Sequence, residues 1–274
     1  MPPKIYFDTN VLRFFAQAFR DQSIDADLKQ HIVVSPISLL EILSEIGTEQ
    51  AEEAFRAVKA FPNIFDAENP IPLLPWESEV FRVLVFNLPP QQDQLAELLS
   101  NATARALYAN CAADFQDDAR QLRDLMDRSK LDATDDFAAL LTSLREHGTL
   151  ADAEHRQIFA NGIAHRAGLA QEGVDANHVI ERLNALWAYE YEHVLNAARE
   201  RGYDPYRHQN DFFDIEQLVY LAHPDMRLLT NDQGFRRARQ SEQFRRIRWE
   251  PVHILQNPAE ATRVMRAMVA PPEL

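Results

Sequence analysis

The stretch that decides the fold is residues 227–235, R-L-L-T-N-D-Q-G-F, and it has a counterpart in residues 5–12, I-Y-F-D-T-N-V-L. Each contains a short apolar run of the kind that forms a buried strand, and each run ends near an aspartate that has an asparagine close to it. In parallel α/β sheets the carboxyl ends of the strands lie along one edge, where ligands bind. We therefore expect Asp8 and Asp232 to lie close together, although most of the chain separates them.

Composition limits the class of protein. The chain has 274 residues, a formal net charge of −14 and 46% hydrophobic residues, which is enough for a sizeable core in one large domain or two smaller ones. A single cysteine, Cys111, excludes a disulfide framework or a zinc–cysteine cluster. The sequence shows neither an apolar stretch near the ~20 residues of a membrane span nor a secretory-signal pattern. We expect a soluble cytoplasmic protein, without a membrane partner, that contacts nucleic acid at most through a local basic patch.

Strand patterns and helix patterns alternate at both ends of the chain. The predicted strands are Lys4–Phe7, His31–Ser35, Met226–Thr230 and Phe244–Trp249. The predicted helices include residues 36–47, 48–61, 211–223 and 258–269. This alternation is typical of an α/β protein with a central parallel sheet.

The middle of the chain has a different pattern. Prolines punctuate residues 62–90, and residues 91–201 show apolar positions at helical spacing with hardly a β-branched run. We therefore predict a discontinuous α/β domain formed by residues 1–61 and 205–274, with residues 62–204 as an all-helical insertion.

Further carboxylates stand where the predicted sheet would bring them to the same edge. Glu41 lies in the apolar stretch S-L-L-E-I-L, where a core-facing helix normally avoids a charge, and Asp211 and Asp214 share one face of a later helix. Like charges about 4 Å apart repel by about 4 kcal/mol per pair at an effective dielectric constant near 20, so such a group requires cations. All-oxygen ligands favour Mg²⁺ or Mn²⁺, the ions that activate water in phosphodiester cleavage.

The order of these motifs resembles that of the PIN-domain ribonucleases. The motifs are D-T-N after the first strand, a glutamate in the helix after the second, N-D-x-x-D at a helix start, and L-L-T-N-D-x-x-F; they cover residues 1–60 and 205–255. The resemblance implies a PIN-like three-layer fold and Mg²⁺- or Mn²⁺-dependent cleavage of RNA. The implied catalytic and metal-binding residues are Asp8, Glu41, Asp214 and Asp232, with Asp211 as an additional metal ligand. The residues implied to orient this site by hydrogen bonds are Thr9, Asn10, Thr230 and Asn231.

The densest basic run, residues 235–249, follows the predicted site directly. Its arginines Arg236, Arg237 and Arg239 are candidates for contacts with the phosphate backbone of an RNA substrate. An ordinary solvated helix face beside a charged edge strand explains the same run. The resemblance also leaves room for a protein partner, such as an antitoxin, and for a homodimer.

Several alternatives remain open at this point. Asp8, Asp232 and Asp211 are each compatible with a helix cap or a first-turn charge, and Glu41 with an ion pair to Arg13. A second hypothesis is a catalytically idle PIN-like protein whose helical middle binds a partner. A third is a metal-dependent phosphatase, but phosphatases of the dehalogenase type have a second aspartate where Asn10 stands.

Overall fold

The structure is a computed structural model that describes residues 3–65, 71–147, 152–171 and 173–270. Its sheet has three strands, β1 (Lys4–Phe7), β2 (Met226–Thr230) and β3 (Val252–Ile254), all parallel and in the order β1-β2-β3. The α/β class and the first and third predicted strands are thus confirmed. Phe7 pairs with Leu229, so β1 and β2 end side by side.

Helices make up most of the described chain. Helices α1 to α7 span Thr9–Ala18, Ala26–Lys29, Pro36–Glu45, Ala51–Lys59, Phe61–Ile64, Glu77–Val80 and Gln94–Tyr108. Helices α8 to α14 span Gln116–His147, Asp152–Arg166, Ala176–Arg182, Asn184–Arg199, Gln209–Glu216, Gln233–Gln240 and Ala261–Val269. Within the described ranges, no helix combines the length and the apolar character that crossing a membrane requires.

Two predicted strands differ in the structure. Residues 31–35 form only isolated bridges, from Ile32 to Ile5 and from Val34 to Leu73, because α3 begins directly afterwards at Pro36. Residues 244–249 do not form a strand. They belong to a 3₁₀ turn and the turns after it, in which Phe244 and Ile247 are buried at a spacing of three residues instead of two. The third strand comes later, at β3.

Apolar side chains pack against both faces of the sheet. Ile5 and Phe7 belong to one buried cluster and Tyr6 to the other, because successive side chains of a strand point to opposite faces. The helical middle contributes to both clusters, with Phe115 to the first and Trp187 to the second. The division into a discontinuous domain and an insertion at residues 62–204 remains a prediction.

The longest helix, α8, connects the two clusters. It has 32 residues, which is about 48 Å at 1.5 Å per residue. Met126 lies in the first cluster and Phe137 in the second, and the helix packs against α3 and α12 on the way. The helical middle therefore contacts the two helices that carry Glu41 and Asp214.

A cluster of one arginine and two glutamates links α9 with α6 and α12. Arg166 contacts the carboxylates of Glu77 and Glu216, the second at 2.7 Å, and its guanidinium lies 5.0 Å from the ring centroid of Phe81. Arg166, Glu77 and Glu216 line a cavity of about 520 Å³, together with Glu190 of α11. One arginine thus balances carboxylates from two other elements.

Glu190 makes the stability of the fold depend on pH. Burial raises its pKa from 4.5 to about 7, the charge of Arg166 opposes this, and Asp136 adds to it. Between pH 4.5 and 7 the folded state therefore binds more protons than the unfolded state, so this group stabilises the fold at low pH and the contribution is lost as pH rises. Glu190 is half-buried, so solvent screening reduces the effect, which we place on the order of 2 kcal/mol.

We expect Glu190→Gln to stabilise the protein at pH 8 relative to wild type and to change little at pH 5. The measurement is denaturant unfolding at both pH values, with Glu181→Gln, an exposed change on α10, as the matched control. Parallel stability–pH curves for wild type and Glu190→Gln would show that the carboxyl of Glu190 has an ordinary pKa.

Candidate metal centre

Asp8 stands at the carboxyl end of β1 and is only 4% exposed. Its Oδ1 accepts a hydrogen bond from the backbone N–H of Val11 at 2.7 Å, which caps α1. Its Oδ2 accepts from the hydroxyl of Thr230 at 2.5 Å and from the backbone N–H of Asn231 at 2.9 Å. Burial raises the pKa of Asp8, these hydrogen bonds oppose the shift, and the nearby charge of Asp232 raises the pKa further.

Asp232 lies beside Asp8, at the carboxyl end of the adjacent strand. Its Oδ1 accepts from the backbone N–H of Phe235 at 3.0 Å, and its own backbone N–H donates to the hydroxyl of Thr230 at 3.0 Å. Thr230 therefore bonds to both aspartates. The N-cap alternative is confirmed for Asp8 and Asp232, and the two caps nevertheless meet at one edge of the sheet.

Gly234, the second residue of α13, leaves room for the Asp232 carboxylate beside the first turn of that helix. A Cβ atom at this position would lie 2.7 Å from Oδ1 of Asp232 and 3.5 Å from the hydroxyl of Tyr189. A side chain would therefore push the Asp232 carboxylate away from its place. The motif T-N-D-Q-G contained this signal, but sequence analysis had not singled out the glycine.

Glu41 bonds to Thr9, the residue that follows Asp8. The Thr9 hydroxyl donates to Oε2 of Glu41, and Oε1 of Glu41 lies 3.6 Å from Nζ of Lys130. The alternative pairing of Glu41 with Arg13 is not what the structure shows, because Arg13 contacts Glu45 one turn further along α3.

Lys130 is the functional candidate that sequence analysis missed. It lies on α8 and is 9% exposed. It lies in a row of buried residues at helical spacing. Met126 precedes it in this row, and Thr134 and Phe137 follow it. A lysine within such a stripe is a signal that the sequence does carry.

Asp214 and Asp232 both line a cavity of about 310 Å³. His193 and Arg237 line the same cavity. Asp214 is half-buried on α12. Asp211 belongs to the same helix, but its side chain lies outside the described part of the structure. The choice between Asp211 and Asp214 as the closer ligand therefore stays a prediction.

The four residues expected to orient the site have different surroundings. Thr9 and Thr230 bond to Glu41 and Asp8, and Asn231 supplies its backbone N–H to Asp8. Asn10 is exposed at the start of α1. The Thr9 hydroxyl therefore holds Glu41, the Thr230 hydroxyl and the backbone N–H of Asn231 hold Asp8, and the side chain of Asn10 is exposed to solvent.

The three candidate arginines line two different cavities. Arg237 is exposed and lines the cavity that contains Asp214 and Asp232. Arg236 is half-buried, donates to the backbone oxygen of Leu255, and shares a second cavity of about 460 Å³ with the exposed Arg239. Arg237 is therefore the one of the three that shares a cavity with the acidic residues.

The carboxylate oxygens of these residues are the type of ligand that a hard cation prefers. One of the carboxylates, Asp8, is buried, and burial and the charge of Asp232 both raise its pKa. Among the side chains that the structure describes, no group of three or more histidine, cysteine, aspartate or glutamate residues is already close enough to hold an ion. Asp8 and Asp232 instead accept the hydrogen bonds that cap α1 and α13.

Comparison with known proteins gives no identification: no family model, no curated protein and no solved structure matches this chain.

Proposed function

We propose that this chain is a Mg²⁺- or Mn²⁺-dependent nuclease with a PIN-like fold that hydrolyses phosphodiester bonds in RNA. The observation that carries the proposal is the meeting of Asp8 and Asp232 at the ends of neighbouring parallel strands, joined by the hydroxyl of Thr230. Burial raises the pKa of Asp8 and the charge of Asp232 adds to the shift, so a divalent cation at this edge of the sheet would stabilise the ionised Asp8 carboxylate.

In this proposal the side chains of Asp8, Asp232 and Asp214 hold the cation, with Asp211 as the further candidate. A bound ion supplies an activated water molecule and neutralises charge at the phosphate. Thr230 and the backbone N–H of Asn231 hold the Asp8 carboxylate in place. Arg237, on the wall of the cavity shared by Asp214 and Asp232, holds the RNA backbone close to them.

A second candidate function is an idle PIN-like protein that binds a partner. Two observations favour it: both aspartates already make helix-cap hydrogen bonds, and Glu41 already has a cation beside it in Lys130. Such a site is satisfied without metal. The two candidates differ in their response to Mn²⁺, because only the nuclease gains folding stability from the ion.

The test is cleavage of single-stranded and hairpin RNA by the full chain with Mn²⁺ or Mg²⁺, with EDTA, and after Mn²⁺ is restored. We expect EDTA to lower the rate at least about 100-fold and excess Mn²⁺ to recover it. Cleavage that persists in EDTA would contradict the metal-dependent proposal. No cleavage together with an unchanged melting temperature in Mn²⁺ would favour the interaction protein.

A further inference from the structure

The cavity of about 520 Å³ that contains Glu190 lies between α6, α8, α9, α11 and α12. Much of its lining is apolar, and Trp76, Phe137 and Phe159 contribute buried aromatic rings. It reaches the surface at Ile158, an exposed residue of its lining. Cavities between helices with apolar and aromatic walls, in the range of roughly 300–1,000 Å³, are where proteins bind small molecules. This cavity therefore has the size and the walls of a ligand site.

The charged groups of this cavity are mostly negative. Arg166 is the arginine of its lining, and its histidines are His155 and His165. The carboxyl groups that line it are those of Glu77, Asp132, Asp136, Glu190 and Glu216. Arg166 is already engaged, because it pairs with two of these glutamates. The remaining excess of carboxyl groups favours a cation as the occupant and disfavours an anion.

Glu190 is the carboxylate of this cavity that remains available to a ligand. It is half-buried on α11, and no residue that the structure describes forms a hydrogen bond or a salt bridge with its side chain. The withdrawal of a carboxylate from water without such a partner is costly, and the pKa of Glu190, raised by burial to about 7, reflects this cost. The ammonium group of a ligand would supply the charge-assisted hydrogen bonds that the protein does not.

Gly162, inside α9, leaves room at the wall of the same cavity. A glycine within a helix destabilises it relative to alanine. Packing does not require this glycine, because no described atom beyond its own stretch of helix lies within 4 Å of the position that its Cβ would take. The absent side chain lets a molecule in the cavity approach the backbone of α9 closely.

We propose that this cavity binds an organic cation, a small molecule with a protonated amine and an apolar ring as its body. The amine pairs with the carboxylate of Glu190. The body packs between the rings of Phe137 and Phe159, in the space that Gly162 leaves open. This site is separate from the proposed RNA cleavage, since neither of the aspartates at the strand ends lines the cavity.

The test is isothermal titration calorimetry of the full chain with tryptamine, an indole ring that carries a primary amine on a short chain. Tryptophol is its neutral match, because a hydroxyl replaces the amine, and putrescine supplies amines without a ring. The titrations are made at pH 8, where Glu190 is ionised, since its pKa is about 7. We expect wild type to bind tryptamine at least about tenfold more tightly than either of the other two compounds.

Variants of two residues locate the bound molecule. Glu190→Gln should bind tryptamine no more tightly than tryptophol, whereas Glu181→Gln, an exposed change on α10, should keep the preference of wild type. Gly162→Phe should lose the binding of both compounds, because its ring takes the space of the ligand. Gly162→Ala, which adds one methyl group, should bind tryptamine within about twofold of wild type.

The inference would be overturned by the absence of tryptamine binding in wild type, by equal affinities for tryptamine and tryptophol, or by a preference for tryptamine that survives in Glu190→Gln. Putrescine bound as tightly as tryptamine would overturn it as well, because the apolar walls would then take no part. Where Gly162→Phe does not fold, Glu190→Gln decides. That variant removes a half-buried charge, so we expect it to be at least as stable as wild type at pH 8.

Discussion

Asp8→Asn is expected to lower metal-dependent RNA cleavage at least about 100-fold, because loss of a direct ligand should cost more than the 10–100-fold typical of an outer-shell partner. Asp8 is 4% exposed, burial raises its pKa, and the charge of Asp232 adds to this shift. The amide is neutral and offers one oxygen instead of two. The metal centre of the Asp8→Asn variant would therefore have much less affinity for a divalent ion.

The same variant should lose stabilisation by metal. At Mn²⁺ about 100 times above its dissociation constant, wild type gains about 2.7 kcal/mol, or about 5–10 °C in melting temperature. Asp8→Asn should show little of this shift. Without metal it should be destabilised by about 1 kcal/mol, because the amide NH₂ would face the backbone N–H of Asn231, which now donates to Asp8.

The matched control is Asp21→Asn, which removes one carboxylate from the protein surface, where it pairs with Arg20. It should retain wild-type cleavage and the full Mn²⁺ shift. Equal cleavage by Asp8→Asn and Asp21→Asn would show that the buried aspartate plays no part in catalysis, and the nuclease proposal would then have lost its central residue.

Arg166→Met is expected to destabilise the fold by about 3 kcal/mol, the lower end of the range for removing one partner of a buried ion pair. Arg166 contacts both Glu77 and Glu216, whose carboxyl groups also hydrogen-bond to each other. Burial raises the pKa of Glu216, the charge of Glu77 adds to this, and Arg166 lowers it. Without the arginine, one of the two carboxyls must take up a proton for the fold to persist. The water-accessible cavity beside them moderates the loss.

Denaturant unfolding of Arg166→Met and wild type at pH 8 and pH 5 measures the expected loss of stability. The loss should be smaller at pH 5, where protonation of the buried carboxyls is cheaper. Arg182→Met, an exposed change on α10, should stay within about 0.5 kcal/mol of wild type. Adding Glu77→Gln and Glu216→Gln to Arg166→Met should recover much of the loss. A stability that is independent of Arg166 would mean that the glutamates are already neutral in the fold.

Predictions that depended on local chemistry succeeded. The strands Lys4–Phe7 and Met226–Thr230 have the predicted bounds, because each is a short apolar run followed within two residues by the aspartate that caps the next helix. The α3 helix begins at Pro36 as predicted, since Ser35 and the fixed φ of proline favour a helix start there. The strand predicted at residues 244–249 failed because an alternating pattern does not reveal whether a neighbouring strand is present to pair with it.

The amino-acid sequence by itself determined β1, β2, the helix caps after them and the meeting of Asp8 with Asp232, since strand ends in a parallel sheet share an edge. Only the tertiary structure decided which cations stand beside the other carboxylates. Lys130 reaches Glu41, and Arg166 reaches Glu77 and Glu216, across helices far apart in the chain. The physical reason is that capping depends on residues within one turn, whereas the partner of a buried charge depends on how whole helices pack.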